Sequence, residues 1–176
     1  LKKENNMQTA QIRLYSLGFG NVRTYIMAIA FIAANIVLPQ VCHMVPQGGA
    51  TWLPIYFFTL VGAYKYGWKV GLLTALASPL VNSLLFGMPV AAALPAITLK
   101  SSVLAVLAGF AAARFRHASL ALLAAVVAGY QIIGTLGEWA MCGSLSAALQ
   151  DFRIGLPGML LQIFAGWFLL NRLLKQ

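Results

Sequence analysis

Six apolar runs, at about residues 24–41, 52–66, 69–88, 91–113, 119–141 and 154–174, are separated only by short stretches of glycine, proline and charge. A helix needs roughly 20 mostly apolar residues to cross a bilayer, and these runs approach or reach that length. Hydrophobic residues make up 61% of the 176 and charged residues 9%, which leaves too little polar surface to coat a water-exposed globule. Lipid must therefore solvate much of the outside. The expected fold is all-α: an integral membrane bundle of six transmembrane helices over residues 22–176, behind a cytoplasmic or interfacial lead-in at 1–21. The second run is the weakest, since about 15 residues reach only ~22 Å against a hydrocarbon core of ~30 Å. It gains length if it begins nearer Gln47 or if Lys65 snorkels at its end.

The formal charge of +9 does not point to nucleic acid, because the basic residues are scattered between apolar runs and form no aromatic-interleaved patch. Topology explains them better. With six spans and an inside amino terminus, Lys2, Lys3, Arg13, Arg23, Lys65, Lys69, Arg114, Arg116, Arg172 and Lys175 all fall on the cytoplasmic side. Ten of the twelve basic residues thus obey the positive-inside rule, the exceptions being Lys100 within a helix and Arg153 at the outer mouth of the last. Dropping the second span would put Arg114 and Arg116 outside. Both termini are therefore expected in the cytoplasm, at a bacterial inner membrane. No cleavable signal peptide is expected, since the run from Thr24 is long enough to span and no convincing small-residue cleavage site is present.

Depth along the helices places Asn35, Asn82, Lys100 and Gln131 in the outer half of the bilayer and Gln162 near its middle. Lys100 lies about nine residues into its helix, ~13 Å deep, where a lysine costs ~2.5–3.5 kcal/mol even on a lenient insertion scale. A watery cavity, a carboxylate such as Glu138 or Asp151, or an anionic ligand would offset that cost. Two accounts of the unexplained cations follow. In one, Lys100 and Arg153 attract an anionic solute to an outward cavity. In the other, Lys100 pairs with Glu138 and Arg153 with Asp151, and no positive charge is left over. The amides are candidates either for a ligand pocket or for interhelical hydrogen bonds. Trp52, Tyr56, Tyr130 and Trp139 lie toward the outer ends, as an aromatic belt or as pocket walls. The loops Cys42–Thr51 and about Cys142–Phe152 are connectors that can also serve as covers, with His43 in the first of them.

Other chemistry is poorly provided for. His43 and His117 are predicted on opposite faces, so no two-histidine metal site is expected. Cys42-His43-Met44 offers soft donors, but three adjacent residues need not converge on one ion. Cys42 and Cys142 share a predicted face, where a disulfide or two unpaired packing thiols both fit. The chain contains no phosphate-binding Gly-x-x-x-x-Gly-Lys loop and only three acids, and Gly143-Ser144 lacks an evident base. Neither enzyme activity nor a cofactor is expected.

One stretch carries a family likeness. Leu53-Pro54, then Val61-Gly62-Ala63-Tyr64-Lys65-Tyr66-Gly67-Trp68-Lys69-Val70-Gly71-Leu72, Pro79-Leu80-Val81-Asn82-Ser83-Leu84-Leu85-Phe86-Gly87-Met88-Pro89 and Leu94-Pro95 make a helix pair with a Gly-x-basic-x-Gly turn and a Gly-x-Pro outer turn. With Pro157-Gly158 in the last helix, this resembles the substrate-binding S components of energy-coupling factor (ECF) vitamin transporters, over about residues 22–174. The resemblance implies a six-helix fold that captures a vitamin or related micronutrient from outside in a pocket roofed by outer loops. It also implies an ATP-driven partner, a transmembrane coupling protein with two ATPases, against which the S component topples. Family members dock that coupling protein through Ala-x-x-x-Ala on the first helix, matched here by Ala30 and Ala34, although Ala108/Ala112 and Ala121/Ala125 share the spacing. Ligand signatures of the biotin, folate, riboflavin and thiamine members are not found. A six-helix membrane scaffold of the bacterial cell-shape machinery is the alternative of similar size, and a solitary channel or carrier is the third reading.

Overall fold

The computed structural model describes residues 14–173, and among these the regular structure is entirely helical. Lys2, Lys3, Glu4, Arg13 and Lys175, together with most of the lead-in, lie outside the described residues. The elements are α1 (Val22–His43), α2 (Gly48–Trp52), α3 (Phe57–Tyr66), α4 (Trp68–Phe86), α5 (Leu94–Phe115), α6 (Leu120–Cys142), α7 (Leu145–Ala148), α8 (Gln150–Ile154) and α9 (Leu156–Phe168), the last continuing as a π turn over Leu169–Leu173. Their ends follow local chemistry. Asn21 and Ser119 cap α1 and α6 by accepting from the amides of Arg23 (2.9 Å) and Leu122 (3.2 Å). Gly87 and Gly143 end α4 and α6 with φ of +67°, a conformation that only glycine adopts without strain.

Among the described residues, four helices are long and apolar enough to cross a membrane: Val22–His43, Trp68–Phe86, Leu120–Cys142, and α5 with its preceding 3-10 turn, Ala91–Phe115. The chain is a multi-pass membrane protein. The expected second span is not one continuous helix. Pro54 lacks an amide hydrogen and biases the residue before it away from the right-handed helical region. Leu53 takes φ +46°, which separates α2 from a 3-10 turn at Pro54–Tyr56 and leaves α3 with ten residues, about 15 Å. That short helix packs against α1, α4, α5 and α9. Leu60, Val61, Ala63 and Tyr64 are fully buried within it, so its ends need not meet lipid. The last predicted span is likewise a thirteen-residue helix extended by a five-residue π turn.

Small residues bring the helices together. A Cβ on Gly71 would overlap Ala63, one on Gly109 would overlap Trp68, and one on Gly158 would overlap the backbone of Trp52. One end of the bundle is fastened by polar contacts to backbone. The Tyr64 hydroxyl donates to the His117 carbonyl (2.5 Å), Asn171 donates to the Ala118 carbonyl (3.0 Å), and the amide of Tyr15 donates to the Lys65 carbonyl (2.9 Å). The opposite end carries the loops around residues 42–53, 87–93 and 143–155, which meet around a cavity.

Between the two ends lies a buried polar network. Asn35 of α1 donates to Thr59 (3.1 Å) and Ser78 (3.3 Å) and accepts from the Phe58 amide (3.3 Å). Ser101 of α5 reaches the same threonine at 3.4 Å, so one knot joins α1, α3, α4 and α5. Pro39 explains a further bond. It cannot donate to the carbonyl four residues back, that of Asn35, and the Asn82 side chain takes over that donation at 2.9 Å. Replacing Asn82 by alanine should therefore cost about 1 kcal/mol of thermal or denaturant stability in detergent. The loss should shrink in a Pro39→Ala background, where the backbone amide can make the bond itself. Equal losses in both backgrounds would show that Asn82 does not act through that carbonyl.

Candidate ligand cavity

The cavity has a volume of about 320 Å³, at the lower end of the range for small-molecule sites. Three separate chain segments roof it: His43, Gly49 and Ala50 from the first loop region, Met88 and Pro89 from the second, and Gln150 and Asp151 from α8. Its deeper wall is formed by Pro39, Tyr56, Asn82, Ile97 and Lys100. The strained Leu53, 4% exposed, also lines it and is clamped beside Gly155, where a Cβ would meet the leucine side chain.

Lys100 sets the electrostatics. Its side chain is 3% exposed and its Nζ lies 2.5 Å from Glu138 Oε2 and 2.8 Å from Asp151 Oδ2. Gly134, one turn before Glu138 on α6, makes room for this arrangement, since a Cβ there would collide with Lys100 Cγ. The lysine therefore approaches α6 along a notch and meets one carboxylate from α6 and another from α8. Counted at pH 7, the triad carries one net negative charge. This corrects the expectation that Lys100 would present a free positive charge to an anionic solute: both carboxylates within its reach neutralise it. Of the alternative pairing, Lys100 with Glu138 is present and Arg153 with Asp151 is corrected. Asp151 bonds Lys100, and Arg153 is exposed, does not line the cavity and has no ion pair among the described residues.

The other expected site residues separate into groups. His43, Asn82, Lys100 and Glu138 line the cavity. Asn35 is fully buried and committed to the interhelical network, which makes it structural. Trp52 supports α9 through its backbone against Gly158 and is not part of the cavity wall. Gln131 and Gln162 lie outside the wall and are fully buried. Gln162 accepts from the Tyr130 hydroxyl at 3.0 Å, but its amide nitrogen, both polar atoms of Gln131 and the Thr135 hydroxyl have no partner. Gln131, Thr135 and Glu138 recur at the three- and four-residue spacing of one helix face, a polar stripe running inward from the triad. Ala30 is exposed and Ala34 half-buried on α1. Cys42 and Cys142 are both free thiols, so the possible disulfide between covers is not formed.

Sequence reasoning underrated Asp151, which was visible only as one of two candidate neighbours of Lys100, and missed Pro39, Ile97 and Gln150. Pro39 had no polar atom to draw attention to it. Among the described residues no group of histidine, cysteine, aspartate and glutamate could hold a metal ion.

Replacing Lys100 by methionine should leave two carboxylates facing each other in a poorly solvated cleft, at a cost on the order of 3 kcal/mol. Adding Glu138→Gln and Asp151→Asn should return most of that stability. A stable Lys100→Met protein, measured by thermal unfolding in detergent, would contradict the triad. No family model, curated protein or solved structure matches the chain.

Proposed function

We propose that this protein is the substrate-capturing S component of an ECF-type importer in a bacterial inner membrane. It takes up a vitamin or related micronutrient from the external face and passes it inward with a transmembrane coupling protein and two ATPases. The observation that carries this reading is the cavity itself: a small-molecule-sized space with a charged and aromatic wall, roofed by three loop segments at one end of an apolar bundle. A protein scaffold has no need of such a chamber. The unpartnered amide nitrogens of Gln131 and Gln162, buried beyond the cavity wall, add support, because buried donors without protein partners are groups expected to meet bound water or a ligand. On α1 the small Ala30 and Ala34 stand on the least buried of the four long helices, where another helix could approach closely.

The reading carries a topology of six membrane crossings, with α3 and α9 as the short ones and both termini inside. In a background lacking Cys42 and Cys142, single cysteines at Gln47 and Ala147 should react with an impermeant reagent on intact cells, and one at Arg116 should not. Labelling of Arg116 alone would reverse the orientation and place the cavity on the wrong side for uptake. Gentle extraction followed by native mass spectrometry should release a small molecule from the purified chain. Cellular uptake of that molecule should stop when the nucleotide sites of the ATPase partners are inactivated. Recovery of stoichiometric cell-shape proteins and no small molecule would favour the scaffold instead.

A further inference from the structure

The charge of the cavity narrows the class of ligand. Lys100 engages Oε2 of Glu138 and Oδ2 of Asp151, and among the described residues no hydrogen bond reaches Oε1 of the first or Oδ1 of the second. The two side chains remain 23% and 19% exposed and both line the cavity. Two acceptor oxygens and one uncompensated negative charge are therefore left beside the space a ligand would fill. Tyr56 forms another part of that wall. It is 2% exposed, and its hydroxyl has no hydrogen-bond partner among the described residues. An aromatic ring beside carboxylates favours a cation through its quadrupole, and the hydroxyl adds an acceptor. His43, counted as neutral at pH 7, is the remaining titratable group of the wall. Arg153 stands exposed outside it, where water and salt screen its charge.

We infer that the cavity takes a small organic cation, a molecule with a protonated amine or comparable cationic nitrogen held by Glu138 and Asp151, with Lys100 fixing the two carboxylates in place. The inference deepens the capture reading and rests on it for the direction of transport. An anionic solute would meet carboxylates already turned toward the space. A neutral one could donate at most neutral hydrogen bonds and would leave the net negative charge uncompensated once water is displaced.

The test uses three probes of nearly equal shape, benzylammonium, benzyl alcohol and benzoate, titrated against the full chain in lipid nanodiscs with thermal stability as the readout. Benzylammonium should raise the melting temperature most, benzyl alcohol less and benzoate least. Glu138→Gln and Asp151→Asn, each of which keeps Lys100 paired with one carboxylate, should weaken benzylammonium about tenfold or more. Arg153→Gln should leave it within about twofold. The wild-type comparison decides even where a variant fails to fold: a response to benzoate equal to or above that to benzylammonium, or no response to any probe, overturns the inference. The two readings fail separately. An anion recovered from the protein, with ATPase-dependent uptake, overturns the cation and keeps the importer. A charge-selective cavity with no ATPase dependence does the reverse.

Discussion

The ammonium group of Lys100 is taken out of water and held by two carboxylates that arrive from different directions in the chain, and the cavity end of the molecule is arranged around that requirement. An isolated lysine at this depth is costly, and an isolated carboxylate beside it would be equally so. Their mutual neutralisation makes the position tolerable only if α8 is brought over α5 and if α6 offers a notch at Gly134. The triad therefore links the placement of the loop after α6 to the interior of the bundle. Because two acids meet one base, it also leaves the cavity slightly electronegative in a chain whose overall formal charge is +9.

Below the triad the same principle operates with neutral groups. A short polar side chain recovers a backbone acceptor that a proline leaves free, as Asn82 does for the carbonyl freed by Pro39. Glycines at helix crossings let backbones approach closely enough for these short side chains to reach. The exceptions are Gln131, Thr135 and the amide nitrogen of Gln162, which stay unpartnered although buried. They mark a deeper polar path beyond the cavity wall.

Much of this was legible in the sequence. Apolar runs bounded by Gly, Pro and charge locate the six helical stretches, because both bilayer thickness and helix termini impose those signatures. The short second stretch was less so: Pro54 announces a break, but only the fold shows that the ten-residue α3 is wrapped by four neighbours. Depth along the helices picks out Lys100 and Asn82, since a polar group in an apolar run is conspicuous, and Glu138 follows as a carboxylate that could offset the lysine. Depth could not tell a ligand contact from a structural bond: Asn35 is wholly engaged by its neighbours, and Asn82, although it lines the cavity, donates to the carbonyls of Asn35 and Ser78. The expectation that Lys100 stands unpaired misses for a related reason. Asp151 and Arg153 are two residues apart, and linear order pairs them, whereas the loop fold delivers only the aspartate to Lys100.

The central claim is that the space beneath the three roof segments is where this protein holds its solute. An experimental structure of the chain, extracted from its source membrane under mild conditions without added ligand, addresses it most directly. The account predicts non-protein density in the chamber bounded by His43, Met88, Tyr56 and Asp151, with an atom within about 3 Å of a Glu138 or Asp151 oxygen. An ordered small molecule bound elsewhere on the protein, or a chamber filled by a lipid tail, would contradict it.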